Sequence, residues 1–377
     1  MLKVIELFSG ITSESCNIGH PDKTCDYIAD CFLDEALKQD PDAQMAVECA
    51  IKNDLLMIYG EATANADINY SAIASAALKE IGYKNEFRIL QQISEQSGEI
   101  NRAVNKGKLA ANDQGICYGY ATNETPEYMP LPIMIAHKLM HRYETYRREY
   151  QGYYFADAKS QVTVEYEGGR PLRVHTVLMS VSHSDIMQHG AIEEDMKQEV
   201  IYPILDECGF PADKDTVFII NPSGSFTKWG SFADSGCVGR KIIVDSYGGV
   251  GRVGGGCFSS KNATKVDRSG AYYARYAAKN IVAAGIADKC EIQVGYGIGI
   301  TEPISVSLDT FGTGKLSDDK ILQAALAVFD FSLDNIIKEL DLLKPIYSLT
   351  SNYGHFGHKG FTWEETNKAD ELKKLIL

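Results

Sequence analysis

Apolar and polar positions along this chain follow two periods, and the order in which they alternate repeats. From Asp22 to Leu37, the residues Ile28, Cys31, Phe32 and Ala36 recur at helical spacing, and Pro21 stands where a first turn tolerates it. Met45–Ile51 and Leu55–Tyr59 alternate as two strands across the Lys52-Asn53-Asp54 turn, and Tyr70–Ile81 reads as a helix stopped by Gly82. A second round places a hairpin of Val162–Glu165 and Leu172–Ser180 across Glu167-Gly168-Gly169-Arg170. It continues with a helix over Glu193–Glu207, kinked at Pro203, and a strand over Val217–Ile220. The last round predicts strand Lys241–Asp245, helix Ser269–Ala284, strands Glu291–Ile300 and Ile304–Leu308, and helices Ile321–Phe329 and Leu333–Leu343. Tyr59-Gly-Glu-Ala-Thr, Tyr118-Gly-Tyr-Ala-Thr and Tyr296-Gly-Ile-Gly-Ile echo one another at uneven spacing. A glycine after a strand is common, so the echo is weak alone. Joined to the recurring strand–helix order, it predicts three similar α+β units.

Composition bounds the class. A length of 377 residues implies two or three domains, and no low-complexity linker divides them. The apolar content is ample for a core without disulfide staples. Nine cysteines without a Cys-x-x-Cys pair speak against a zinc ribbon and read as reduced thiols of a cytoplasmic protein. No stretch has the unbroken apolar length of a membrane span, and the first fifteen residues lack the signature of a signal peptide. A formal charge of −14 disfavours a nucleic-acid partner, so the location of the basic residues matters more than their sum.

Those basic residues fall beside glycines and aspartates. Gly19-His20-Pro21-Asp22-Lys23 lies at the mouth of the first helix, where free N–H groups and a partial positive charge suit a phosphate. Asp22 suits a hard cation and Lys23 would face the anion; helix entry alone explains Pro21 and Asp22 but needs neither His20 nor Lys23. Within Gly248–Gly256, the residues Gly249, Gly251 and Gly254 spell G-x-G-x-x-G. A dinucleotide fingerprint starts its helix inside the motif, whereas here glycines continue towards Asn262-Ala263-Thr264, and no Walker A sequence is present. What remains is a loop rich in N–H donors, ending in Lys261, Lys265 and Asp267, which either wraps phosphates or is a plain mobile loop, with Asp267 expected to cap the next helix in both cases. Asp157-Ala158-Lys159 opens one strand, and Asp234 precedes Gly239-Arg240-Lys241 at another. Any one such cation is ordinarily a solvated charge. Six of them (Lys23, Lys159, Arg240, Lys241, Lys261 and Lys265) at element edges point to a polyanion. Glu48, Glu61 and Asp113 are isolated acids, for which a solvated face or turn is the default. His137 and His141 share a helix face, but Lys138 stands where a metalloprotease needs Glu, and His355 and His358 have no further ligands in sequence. No nucleophile with a paired base stands out.

Taken together, Ser13-Glu-Ser15, Gly19–Lys23, Asp113-Gln-Gly115, Gly119–Thr125, Asp157–Val162, Gly239–Asp245, Gly254–Gly256, Lys265–Ser269 and Tyr353–Gly357 resemble the S-adenosylmethionine synthetase family, over most of the chain. The resemblance implies an α+β fold of three pseudo-symmetric domains, each a mixed sheet with helices on one face. Flat sheets would pack at a dimer interface, and the sequence domains would be 1–105, 112–231 and 233–377. It implies a cytoplasmic homodimer or dimer of dimers, with no nucleic acid and no membrane. The reaction it implies joins ATP and L-methionine: the thioether sulfur attacks the ribose C5′, and the expelled tripolyphosphate is hydrolysed to phosphate and pyrophosphate before release. A thioether has no proton to lose, so the burden falls on positioning and on a leaving group of about four or five negative charges. Two Mg²⁺ and one K⁺ per site are implied as cofactors.

Carried over by position, His20, Lys159, Arg240, Lys241 and Lys261 are the implied catalytic contacts to ATP, joined by Asp157, Ala158, Ser225, Phe226, Asp234 and Cys257. Phe226 would stack near the adenine. Asp22 and Asp267 would hold Mg²⁺ and Glu48 K⁺. Glu61, Gln96, Asp113, Asp234 and Lys265 would line the methionine side, and Gln96–Ala111 would be a gate. The departures from the family pattern are Ile18 for Glu, Val253 for His, Ser225 for Arg and Trp229-Gly-Ser231 for Gly-Gly-Pro, grouped on the adenine side. Another metal-dependent ATP enzyme, such as a triphosphatase or kinase, is the alternative from the residues alone; a non-catalytic nucleotide-binding subunit would not need so full a set.

Overall fold

The computed structural model describes residues 9–95 and 109–376. Its strands are β1 (Gly10–Cys16), β2 (Gln44–Lys52), β3 (Leu55–Thr63), β4 (Arg88–Ser94), β5 (Gly115–Thr122) and β6 (Tyr154–Glu167). They continue as β7 (Arg170–His183), β8 (Val217–Ile220), β9 (Gly236–Cys237), β10 (Lys289–Tyr296) and β11 (Ser305–Asp309). The helices are α1 (Pro21–Gln39), α2 (Tyr70–Ile81), α3 (Leu131–Glu149), α4 (His189–Asp195) and α5 (Tyr202–Glu207), then α6 (Ile242–Asp245), α7 (Val266–Ala283), α8 (Asp318–Val328), α9 (Leu333–Glu339) and α10 (Ala369–Ile376).

The architecture is α+β, and the described residues form three sheets of order β1-β6-β7-β8, β11-β10-β5 and β4-β3-β2-β9. Each is built on a long helix followed by an antiparallel hairpin: α1 before β2 and β3, α3 before β6 and β7, α7 before β10 and β11. In the first two units a crossover returns a parallel strand, β4 beside β3 and β8 beside β7. The strand ahead of each long helix leaves its own unit: β1 pairs with β6, β5 with β10, and β9 with β2. This cyclic exchange of strands ties the three units together, and it decides which loops meet.

Burial follows the pleat. On β2 and β3, Val47, Cys49, Ile51, Leu56 and Ile58 turn towards α1 and are almost fully buried. Each such large side chain contributes about 1.5–3 kcal/mol. The backbone of α7 lies against β5 at Gly119, where a Cβ would collide with the Ala274 carbonyl group. Among the described residues the opposite face of this sheet is left uncovered: Ala50, Met57 and Leu90 align across β2, β3 and β4, with Met57 44% and Leu90 51% exposed. Ile116 does the same on β5.

Four expected elements differ. Lys241–Asp245 is the helical turn α6, closed by the Asp245 N–H donating to the Lys241 carbonyl at 2.9 Å. The β-branched run Ile242-Ile243-Val244 favours a strand, but tertiary contacts of Asp245 override that preference. Glu193–Glu207 contains a π-helical stretch, Met196–Ile201, between α4 and α5. Pro203 has no N–H to give the Glu199 carbonyl, and Arg142 Nε donates to it instead at 2.8 Å. β10 ends at Tyr296, where Gly297–Ile300 forms a turn. Helix α9 ends at Glu339 because Asp341 takes φ +53° and the Leu342 N–H closes back on the Ile337 carbonyl.

Candidate functional site

The mouth of α1 is where the strand exchange delivers charge. His20 is the N-cap residue, its Nδ1 accepting the Asp22 N–H at 3.2 Å. Asp22 is buried, yet its carboxylate collects donors from the segment that β9 carries in: the Cys237 N–H at 3.0 Å, Lys241 Nζ at 2.6 Å and Arg240 Nε at 3.5 Å. Gly236 makes this approach feasible, since a Cβ there would meet the Pro21 carbonyl group. The β1–β6 pairing sets Lys159 opposite Cys16 with its side chain exposed, and Ala158 is buried behind it. Burial, with Lys241 and Lys159 nearby, holds the His20 imidazole down to about 2, so it is neutral. Asp157 accepts the Gly230 N–H at 2.8 Å and is pushed up to about 6 by burial, with Asp234 adding and Lys159 and Lys241 opposing. His20, Asp22, Asp157, Lys159, Asp234, Arg240 and Lys241 thus form one neighbourhood.

A second group forms around the glycine loop. An isolated bridge between Ala46 and Lys261 docks that loop on β2, next to Glu48. Lys261 Nζ pairs with Asp267 at 2.6 Å; burial would lower its pKa, but Cys257, Asp267 and Glu48 outweigh that and raise it. Lys265 is held low by burial, with Glu61 and Asp113 facing it. Glu48 accepts the Tyr59 hydroxyl at 3.3 Å. Cys257 lies against Gly239, where a Cβ would sit 2.5 Å from the Cys257 Cβ, and burial raises the thiol to about 11. Among the described residues no ion pair joins this group to the one around Asp22.

The donor chemistry fits small hard cations that arrive with a ligand. Among the described residues no three His, Cys, Asp or Glu side chains converge as a complete metal cage. Mg²⁺ is commonly held by one or two carboxylates plus phosphates and water. Asp22 and Asp267 are single carboxylates whose charge is met by lysines that a phosphate could draw away. Glu48 offers one half-buried carboxylate to K⁺.

Other expected residues are placed differently. Lys23 does not face an anion: it is fully buried and paired with Asp26 at 2.9 Å and Asp245 at 2.5 Å. Burial alone would discharge it, yet the two carboxylates hold its pKa up. Burial in turn raises Asp26 to about 7, with Asp245 adding and Lys23 and the Gly239 N–H opposing. Gln96 and residues 96–108 of the expected gate lie outside the described residues. Ser225 is exposed and Phe226 partly buried, on the loop that leaves β8. Phe226 is held by His183, which the sequence reading passed over. The departure at Trp229 builds a wall, its ring 4.5 Å from Tyr83 and 6.0 Å from Phe155. His137 and His355 are buried and held well below the ordinary histidine range by burial, with His137 Nδ1 2.8 Å from Ser15 Oγ.

Three like α+β units that set cations over single carboxylates have the layout of an enzyme that manages a polyanion. The N-terminal, central and C-terminal domain models of S-adenosylmethionine synthetase match residues 9–105, 108–226 and 229–365. The chain belongs to the S-adenosylmethionine synthetase family of enzymes. It is 44% identical over 381 residues to the S-adenosylmethionine synthase of Treponema denticola, covering 97% of this chain and 98% of that one. It is likewise 44% identical over 391 residues to the S-adenosylmethionine synthase of Clostridium botulinum, covering 97% and 99%. Among the described residues no helix is long and apolar enough to cross a membrane.

Proposed function

We propose that this chain makes S-adenosylmethionine from ATP and L-methionine in the cytoplasm, releasing phosphate and pyrophosphate. The observation that carries the reading is the Asp22 carboxylate held between Lys241 and Arg240, beside Lys159 and a neutral His20. In the reaction the methionine sulfur displaces tripolyphosphate from C5′. Lys159, Arg240, Lys241 and Lys261 meet the charge that builds on the leaving oxygen, and neutral His20 donates a hydrogen bond without competing as a cation. Two Mg²⁺ at Asp22 and Asp267 would supply Lewis acidity to the phosphates, and K⁺ at Glu48 would steady the β2 side. Glu61, Asp113 and Lys265 offer the paired charges that a zwitterionic amino acid needs. Incubation with ATP, L-methionine, Mg²⁺ and K⁺, followed by mass spectrometry, should reveal S-adenosylmethionine. ATP consumption without a sulfonium product would instead indicate a triphosphatase.

The active unit is at least a dimer with shared sites, as a homodimer or dimer of dimers. One feature supports this: the exposed apolar side chains of Met57, Leu90 and Ile116 on the sheet faces. Sedimentation and activity should fall together on dilution. A stable monomer with full specific activity would overturn the assembly.

A further inference from the structure

The segment after β8 is fastened along the free edge of β7 by side chains that stand in for a strand. The Asn221 N–H donates to the Met179 carbonyl at 2.9 Å. Its side chain then takes both backbone groups of Val181, with the Val181 N–H donating to Oδ1 at 2.7 Å and Nδ2 donating to the Val181 carbonyl at 3.0 Å. Two residues along β7, His183 completes the edge. Its N–H donates to the Phe226 carbonyl at 3.0 Å, and the Phe226 N–H donates to its ring Nε2 at 3.1 Å. The other nitrogen, Nδ1, lies 2.8 Å from the Ser184 carbonyl, which can only accept. The proton therefore sits on Nδ1 and leaves Nε2 as the acceptor.

The result is a partly exposed aromatic on a backbone held at both its N–H and its carbonyl. The His183 ring is buried, whereas the Phe226 ring is partly exposed and enters no ring–ring contact among the described residues. The anchored edge is next to the charged site: Val181 pairs with Ala158 and Ser180 with Lys159 across β6. Four residues past Phe226, Gly230 is tied to Asp157. Resting on the ATP reading above, we propose that His183 is a positioning residue, fixing both backbone groups of Phe226 so that its ring is a preset platform for the purine of ATP. A ring on an untethered loop would lose the same freedom at each binding event, which weakens stacking without touching the phosphates.

The test compares ATP with inorganic tripolyphosphate, each with Mg²⁺, by calorimetry on the full chain. His183→Ala should weaken ATP by about tenfold and leave tripolyphosphate within about twofold, since stacking belongs to the base alone. In steady state KM for ATP should rise while kcat and KM for methionine hold. His183→Gln, whose amide oxygen can accept the Phe226 N–H, should recover most of the loss. Adding His183→Ala to Phe226→Ala should cost nothing further. Unchanged ATP affinity in His183→Ala, equal loss of both ligands, or additive losses in the double variant would each overturn the platform. The readout is ATP affinity, so a wild-type chain that binds ATP but forms no S-adenosylmethionine would fail the catalytic reading alone. Selective loss of ATP on His183→Ala supports the platform in either case.

Discussion

Asp22 and Lys23 are neighbours on the first turn of α1, and their charges are used in opposite ways. Lys23 is enclosed by Asp26 and Asp245, and the same Asp26 also accepts the Gly239 N–H at 2.9 Å. That cluster fastens α1 to the segment carrying Arg240 and Lys241. Asp22 is met instead by the Lys241 ammonium, which is partly open to solvent, and by an Arg240 side chain that is half exposed. A charge sealed by its partners holds structure, whereas a charge whose partners reach solvent can exchange them for a ligand. Lys23→Met strands two buried carboxylates and should lower unfolding free energy by about 3–5 kcal/mol, read by urea denaturation. A variant as stable as wild type would show that the cluster is not structural.

On the other side of the comparison, Lys241→Met should reduce turnover at least about a hundredfold, with methionine affinity less affected. Its stability cost is smaller, because Asp22 keeps Arg240 and the Cys237 N–H. Lys159→Met should do the same to turnover, and near-normal rates in either variant would remove that lysine from the assignment. Next in size, Asp22→Asn should raise the Mg²⁺ requirement by about tenfold or more, titrated against rate. Glu48→Gln should mainly abolish the response to K⁺, and a full response would rule that ligand out.

The folded pKa of His20 lies below that of an unfolded histidine, because burial and the charges of Lys241, Lys159 and Lys23 disfavour its charge. Its contribution to stability is therefore complete above about pH 6.5 and is lost as pH falls towards the folded value, at up to about 1.4 kcal/mol per pH unit. His20→Asn should narrow the stability gap between pH 7.5 and 5.5 by roughly that amount per unit in denaturant titrations. An unchanged gap would mean that His20 already titrates normally.

Much of the fold was legible because it rests on local periodicity. The helix over Asp22–Leu37, the hairpin around Asn53 and the helix stopped by Gly82 each carry their own apolar face and punctuation. What periodicity could not show is long-range. β9 is two residues long, too short for any pattern, yet its pairing with β2 is what sets Lys241 on Asp22. The exchange of β1, β5 and β9 between units leaves no local trace. In the candidate site, glycine and aspartate beside lysine located the charged segments, but residue type could not separate Lys23 from Lys241, because only tertiary burial distinguishes them. His183 escaped notice for a related reason. Its ring accepts a backbone N–H 43 residues away, and nothing near it in sequence resembles a site.

In the proposed dimer, the two cation groups of one chain are halves of sites completed by a second copy. The most direct test mixes two crippled variants, Lys241→Met and Lys261→Met, after each is dissociated, and measures S-adenosylmethionine formation. Random reassortment makes half the dimers mixed, each with one intact site, so activity should return to about a quarter of wild type. If the mixture stays as inactive as its components while forming mixed dimers, each site lies within a single chain and the claim is wrong.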